Sequence, residues 1–330
     1  MSNSIFAAFE EQESGFEKVF EFKKSAKTKE KQEDHAKSDG KFNIYEKITN
    51  RIVEQLKQGK IPWRKPWIGG GKAVRHRDGK PYKLINQLLL EYEGEYITYR
   101  QCQAEGGRIK KGEKANLIVE FFPVKKTAEE IAAEIAAGAK PGEIDDTKRF
   151  VLRYENVFNV LTQCEGITPK YFKDGERTNI NSEDRIEAAE NLMKDYLNRS
   201  HVTLENRESE GAFYAPNSDL VVLPNFEQFT GAPEYYSTAF HELTHSTGHA
   251  KRLNRFEHGY FGSTPYSKEE LVAEIGSAAI MNRVGLETGD TFKNSTAYIQ
   301  SWLEKLQNDD KFVFQASAQA DKAMKLILNE

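Results

Sequence analysis

Five residues, His241-Glu242-Leu243-Thr244-His245, constrain this chain of 330 residues more than any other feature. Two histidines four apart on an α-helix project from the same face a turn apart, so both imidazoles can reach one metal ion. Glu242 lies beside them, where it can take a proton from a water activated by the ion. Zinc lowers the pKa of such a water to about 7, so a hydroxide-like nucleophile exists at neutral pH. Tyr236, Ala239, Phe240 and Leu243 give the helix an apolar face to bury. A histidine pair of this spacing also serves non-catalytic metal sites, but such a site needs no glutamate between the two.

A catalytic zinc takes three protein ligands and keeps one position open. A third histidine six residues beyond the second is excluded, because Lys251 stands there. His249 falls about a turn past the metal, beyond Gly248, where the helix is expected to end. A carboxylate from the next helix is the better source. In SKEELVAEIGSAAI, residues 267–280, Ser267 and Glu270 have capping-box spacing, and Glu270 and Glu274 share a face. Glu270 as ligand, with Glu274 orienting a histidine through its outer nitrogen, makes a His2Glu site. Glu274 or Glu269 as the ligand stays open, as does a plain role for Glu269 and Glu270 as charges favoured at a helix start.

The net charge of −4 conceals an asymmetry. Residues 41–126 carry 19 Lys/Arg against 9 Asp/Glu, whereas residues 127–330 carry 21 against 33. A basic segment joined to an acidic one points to nucleic acid on the basic part. Charged residues make up 30% of the chain, and no apolar stretch approaches the ~20 residues of a membrane helix, so no spanning segment is expected. The opening MSNSIFAAFEEQESGFEKVF lacks a basic start followed by an apolar block, so no secretory signal is expected. Cys102 and Cys164 are too few for a disulfide framework, which suits a reducing cytoplasm.

Residues 1–40 read as a disordered lead-in rich in Lys, Glu and Ser. Ile44, Ile48, Ile52, Val53 and Leu56 mark a helix that Gly59 closes. YKLINQLLLEYE and YITYRQCQAEGG read as helical pieces, and 116–124 and 150–160 as strands around an inserted Ala/Glu-rich segment, 127–148. A linker is expected at 166–180. Beyond it come an amphipathic helix from Ser182, strands at 201–205, 211–215 and 219–223, and then mainly helix. The expected organisation is a tail, 1–40, a domain over 41–165, a linker, and a second domain over 181–330.

Single strands are held by a basic groove with aromatic faces on which bases stack. Trp63, Arg64, Lys65 and Trp67 offer both within Pro-Trp-Arg-Lys-Pro-Trp. Arg75, Arg77, Tyr82, Tyr99, Arg100, Lys110, Lys111 and Lys114 continue the pattern. Core packing for the two tryptophans and an ordinary solvated face for the lysines are the plain alternatives. No helix-turn-helix or zinc finger is visible.

HELTHSTGHAKRLNR followed by YSKEELVAEIGSA resembles the zincin-type metallopeptidase domain at the C-terminus of ArdC-like antirestriction proteins. GAFYAPNSDLVVLPNFEQF looks like that family's edge strand and loop. IYEKITNRIVEQLKQGKIPWRKPW, ITYRQCQAEGGRIKKGEK and RYENVFNVLTQCEGI resemble the ArdC-type N-terminal domain. The resemblance implies an α+β fold of two domains, one binding single-stranded DNA and one a zincin-like metallopeptidase. It implies one Zn2+ ion, a protein or peptide substrate, no membrane partner, and protection of incoming mobile DNA from host restriction, in the cytoplasm of the cell that receives it. Glu270 and Glu274 match the Glu-x-x-x-acid pair of related peptidases, with Glu where Asp is more usual. In this scheme the edge strand near 219–223 pairs with the extended substrate. A binding protein with a structural or vestigial zinc site is the alternative, and a metal-dependent nuclease, which would want more carboxylates, is a third.

Overall fold

The computed structural model describes residues 43–63, 72–90, 92–136, 149–171, 182–256, 264–286 and 295–330. The N-terminal tail, Arg64, Lys65, Trp67, the distal part of the 127–148 insertion and most of the expected linker lie outside them.

Helix α1, Ile44–Lys57, starts on Asn43, whose side chain accepts from the backbone of Tyr45 and Glu46. Its apolar row, Ile44, Ile48, Ile52, Val53 and Leu56, is buried, and Gly59 closes it at φ 72°. There follow β1 Ala73–Arg75, α2 Leu84–Leu89, β2 Gly94–Thr98, α3 Tyr99–Ala104 and β3 Arg108–Ile109. Then come β4 Asn116–Val124, α4 Ala128–Ala136, β5 Arg149–Asn159, the single turn α5 Val160–Gln163 and β6 Cys164–Glu165.

The sheet order is β1-β2-β5-β4, with β1 parallel to β2 and the other pairs antiparallel. Strand β4 pairs with β5 along its whole expected length, from Asn116↔Val157 to Val124↔Arg149, and β5 ends at Asn159, one residue short of the expected 160. The reading of YITYRQCQAEGG as helix is corrected. Its first residues form β2, because Tyr96 and Ile97 are buried between two neighbouring strands. The helix begins only after Thr98, which builds a capping box with Gln101. The helix in YKLINQLLLEYE is likewise short, and its buried Asn86 exchanges two hydrogen bonds with the backbone of Val119 on β4.

The second half contains α6 Ser182–Ser200, β7 Thr203–Arg207, β8 Phe213–Ala215 and β9 Leu220–Pro224. Four helices end it: α7 Ala232–Ser246, α8 Thr264–Val284, α9 Ser295–Asn308 and α10 Phe312–Leu328. The strand order is β7-β9-β8, so the expectation of an edge strand near 219–223 is corrected. That strand is β9, and it is paired on both sides; its Val221, Val222 and Leu223 are buried. The edge is β8. Helix α8 crosses α7 closely at Gly276, where a Cβ would lie 2.8 Å from Thr244 Cγ2. None of the described helices is long and apolar enough to cross a membrane.

One hydrophobic core runs through both halves. It joins α1 and α2 to Leu271, Val272 and Ile275 of α8, to Trp302 of α9 and to Phe312, Val313 and Ala316 of α10. Asn43 and Thr49 hydrogen-bond Asp310 in the α9–α10 turn. Trp63 belongs to this core. It is 4% exposed and meets Trp302 edge to face, with ring centroids 5.5 Å apart. The expectation that Trp63 stacks on a base is therefore corrected, since neither ring face is open to a strand. Trp63→Ala should destabilise the chain by ~3–5 kcal/mol, read from chemical denaturation. A loss under about 1 kcal/mol would show that the ring does not carry the joint between the halves.

Candidate metal centre

Helix α7 carries His241 and His245 toward α8, and α8 returns three carboxylates. The histidine Nε2 atoms are 3.2 Å apart, with the rings at 78°. Glu270 sets Oε2 3.6 Å from His241 Nε2 and Oε1 3.7 Å from His245 Nε2. Around a tetrahedral ion with bonds of 2.0–2.1 Å, ligand atoms stand about 3.3 Å apart, so this set of two imidazoles and one carboxylate fits a single divalent ion. Among the described residues it is the one group of this kind. The close crossing at Gly276 makes it possible, because a larger residue would hold the carboxylates of α8 away from α7.

Both outer nitrogens face carboxylates. His245 Nδ1 is 3.1 Å from Glu269 Oε1, and His241 Nδ1 is 4.0 Å from Glu274 Oε1. The tighter orienting contact thus belongs to Glu269, which the sequence offered only as a third choice of ligand. Glu269 is itself held by Arg255 through Nε at 2.8 Å and Nη2 at 2.7 Å. Arg255 also donates to Thr247 Oγ1 and to the Thr244 carbonyl at the end of α7. No local pattern announces Arg255. It arrives because the chain doubles back after the helix, with Leu253 N bonded to Thr247 O and Arg255 N to Gly248 O. Gly248 permits that turn, since a Cβ there would lie 2.8 Å from the Phe256 ring. His249 binds the backbone of Lys251 within the turn and stands apart from the donor group.

The electrostatics follow from burial and pairing. Burial opposes charge on His241, but the Glu270 hydrogen bond and the carboxylates of Glu242 and Glu274 outweigh it and raise its pKa to about 9. His245 is raised in the same way, against burial, by Glu269 and Glu270. Burial acts upward on Glu269 and Glu270, yet Arg255 and His245 on the one, and the two histidines on the other, hold both below the usual carboxylate range. Glu242 differs: burial dominates and pushes it up, although the histidines and the Tyr214 backbone N–H on β8 pull the other way. A buried carboxyl of raised pKa beside two imidazoles is equipped to accept and return a proton.

The basic residues of the first half fall into two sets. Arg75 pairs with Asp78 at 3.0 Å, Lys110 donates to the Thr162 carbonyl, and Tyr82 is half-buried with its ring edge against Tyr96. Arg77, Arg100, Lys111 and Lys114 are exposed, and Tyr99 is 52% exposed. Thr98 and Asn116 flank Val157 from opposite sides, so Tyr99, Arg100 and Lys114 emerge at one end of the sheet. His76 N bonds Tyr96 O, which brings Arg77 to the same end.

His241→Ala should abolish stoichiometric metal binding, and a full metal complement in that variant would refute the ligand assignment. Glu269→Gln and Arg255→Ala should each keep the fold and weaken metal affinity by about 10–100-fold in chelator competition. An unchanged affinity in both would leave His245 without need of its buttress.

Residues 42–158 match the family model described as the N-terminal domain of anti-restriction factor ArdC, and residues 187–319 match that of the zincin-like metallopeptidase. The chain is 34% identical over 298 residues to a DNA primase TraC of Escherichia coli, covering 86% of this chain but 27% of that protein. It thus spans about a quarter of the length of the primases it matches. It is 32% identical to protein y4eC of Sinorhizobium fredii, over 85% of this chain and 90% of that one. The metal-free crystal structure of antirestriction ArdC from the R388 plasmid superposes with a TM-score of 0.66 at 31% identity, over 87% of this chain and 97% of that one. The Mn(II)-bound form of the same protein gives 0.66 at 29%. With both domains matched in order and nearly the whole of two relatives covered, the chain belongs to the ArdC antirestriction family, an α+β protein whose second domain has the zincin-like metallopeptidase fold.

Proposed function

We propose that this chain protects incoming mobile DNA from restriction by holding its single strands on the first domain and hydrolysing a peptide bond at the second. The observation that carries the hydrolytic part is the buried Glu242 beside the two imidazoles and Glu270. His241, His245 and Glu270 would hold one divalent ion, and two imidazoles with one carboxylate suit Zn2+. Bound there, zinc supplies a Lewis acid for the scissile carbonyl and for the attacking water. Glu242 takes the proton from that water and returns it to the leaving amine. Its burial supports this role, because a carboxyl lifted toward neutrality both accepts and donates readily. Strand β8 pairs with β9 on one side, which leaves its other edge to a substrate strand by β-augmentation. Its Tyr214 N–H already points at Glu242, so a peptide added along β8 runs past the reacting groups.

For the first domain, the exposed Tyr99, Arg100, Lys111 and Lys114, with Arg77 beside them, support a single-strand path across the end of the sheet. Arg64, Lys65 and Trp67 remain candidates for the same path, and Arg75, Lys110 and Tyr82 line it at closer quarters to their own partners. The cytoplasm of the recipient cell is where such a protein meets both the entering strand and the restriction enzymes.

Glu242→Gln should keep its metal and its single-strand affinity while losing peptide hydrolysis by about 10^2–10^4-fold. Full antirestriction in that variant would favour protection by DNA binding alone. Lys111→Ala with Lys114→Ala should weaken binding to oligo-dT and flatten its salt dependence by about 0.7 in log–log slope per lost phosphate contact. An unchanged slope would remove those lysines from the path.

A further inference from the structure

Residues 167–171 follow the last strand of the first domain and are fastened back onto it. Ile167 packs on Gly107 and on the cluster of Ile97, Cys102 and Cys164. Lys170 bonds Glu105, the residue that caps the end of α3, at 2.8 Å. The Tyr171 backbone N–H donates to one carboxylate oxygen of Glu95 on β2. The other oxygen lies 2.6 Å from His76 Nδ1, and these two side chains are 0% and 1% exposed. His76 Nε2 lies 3.1 Å from Glu105, so one imidazole bridges the two carboxylates that hold residues 170 and 171. Burying a carboxylate with an imidazole costs a desolvation that only close pairing repays. These residues belong to the expected linker, yet a linker needs no such seat.

What the seat holds is an aromatic ring in the open. Tyr171 is 55% exposed. Its ring lies on Gly79, where a Cβ would come 2.8 Å from both Cγ and Cδ1 and 3.1 Å from Cε1. Near-equal distances to three consecutive ring atoms mean that the face of the ring, not its edge, covers the glycine. Gly79 has φ 67°, and glycine alone both takes this turn freely and lets a ring lie flat on the backbone. With one face on Gly79 and more than half of the side chain in solvent, the opposite face is open.

The surroundings suit a polyanion. Arg77 and Lys80 stand exposed on either side of Gly79. Asp78 between them is taken up by Arg75 at 3.0 Å and meets Arg77 only at 3.5 Å. No acid pairs with the Lys80 ammonium among the described residues. The exposed Tyr99 and Arg100 open the helix that Glu105 closes, so Tyr99 and the Tyr171 seat stand at the two ends of α3, six residues or about 9 Å long.

We propose that Tyr171 is a base-stacking platform for single-stranded nucleic acid, laid flat on Gly79 and anchored by the buried His76–Glu95 pair. Every base has a π face, so an open ring binds without regard to sequence. The exposed cations beside it meet the phosphates on either side of the stacked base. A duplex closes its base faces against one another and offers this ring nothing. The inference rests on the single-strand reading of the first domain, and it gives that path the ring that Trp63, packed in the core, does not supply.

Fluorescence anisotropy of the full chain with labelled deca-dT, and with a decamer of abasic deoxyribose phosphate, tests the platform. Tyr171→Ala should weaken deca-dT binding about tenfold, which is 1.4 kcal/mol, with the salt dependence unchanged. Tyr171→Phe should bind as the wild type does, and Tyr171→Leu should not. On the abasic strand the wild type and Tyr171→Ala should bind alike, because there is no base to stack. Equal affinity of Tyr171→Ala and the wild type for deca-dT overturns the platform and leaves the single-strand reading standing. An equal loss on both strands overturns it too, since the residue then acts on the sugar-phosphate chain or on the fold. A wild-type chain that binds no deca-dT sinks the single-strand reading and the platform together.

Discussion

The close crossing of α8 over α7 is the constraint on which the rest of the metal centre depends. At Gly276 the helices approach until a Cβ would touch Thr244, and this approach delivers Glu269, Glu270 and Glu274 to two imidazoles. Five buried or half-buried ionisable groups could not be gathered so tightly unless each found a counter-charge. They do, in a graded way. Glu270 bridges both inner nitrogens, Glu269 and Glu274 stand at the outer ones, and Arg255 balances Glu269 while tying it to the end of α7. The carboxylates that orient the histidines also raise their proton affinity, so protons compete with a divalent ion for the same nitrogens.

A second constraint couples the centre to the first domain. Helix α8 is a wall of three things at once: the donor group, the shared hydrophobic core and a cavity between the domains. Leu271, Val272 and Ile275 alternate around the helix with the glutamates, so the residues that seat the first domain and those that face the two histidines are fixed by the same backbone. Trp63 against Trp302 then makes the first domain part of the scaffold of the second. The family models divide the chain into two domains, but its largest core cluster does not respect that division. This arrangement gives the first domain a direct mechanical contact with the helix that carries Glu269, Glu270 and Glu274.

Much of the fold was legible because hydrophobic spacing decides it locally. The α1 row and the β4–β5 pairing follow from periods of 3.6 and 2. The short strand Gly94–Thr98 was not legible, since two buried aromatic and aliphatic residues ahead of a Thr-x-x-Gln cap suit a helix as well as a strand until neighbours pair with them. Strand order was equally hidden: β9 and β8 have similar apolar patterns, and only the pairing partners decide which is the edge. The tryptophans show the limit most plainly. Pro-Trp in a basic stretch reads alike for a stacking platform and for a core residue, and Trp63 proves to be core because α9 supplies another tryptophan 239 positions away in sequence.

By itself the sequence determined the candidate donor set: a histidine pair that a helix puts on one face, a glutamate beside it, and a following helix with carboxylates one turn apart. Helical geometry is local, so those statements needed no knowledge of the rest of the chain. Tertiary structure decided which carboxylate does what, because Glu269, Glu270 and Glu274 are distinguished only by the angle at which α8 crosses α7 and by an arginine that reaches Glu269 through a turn. It also decided that the tryptophan offered to DNA is packed inside, and that the two domains enclose a cavity between them. Each of these depends on residues far apart in the chain being brought within a few ångströms, which spacing along the sequence does not encode.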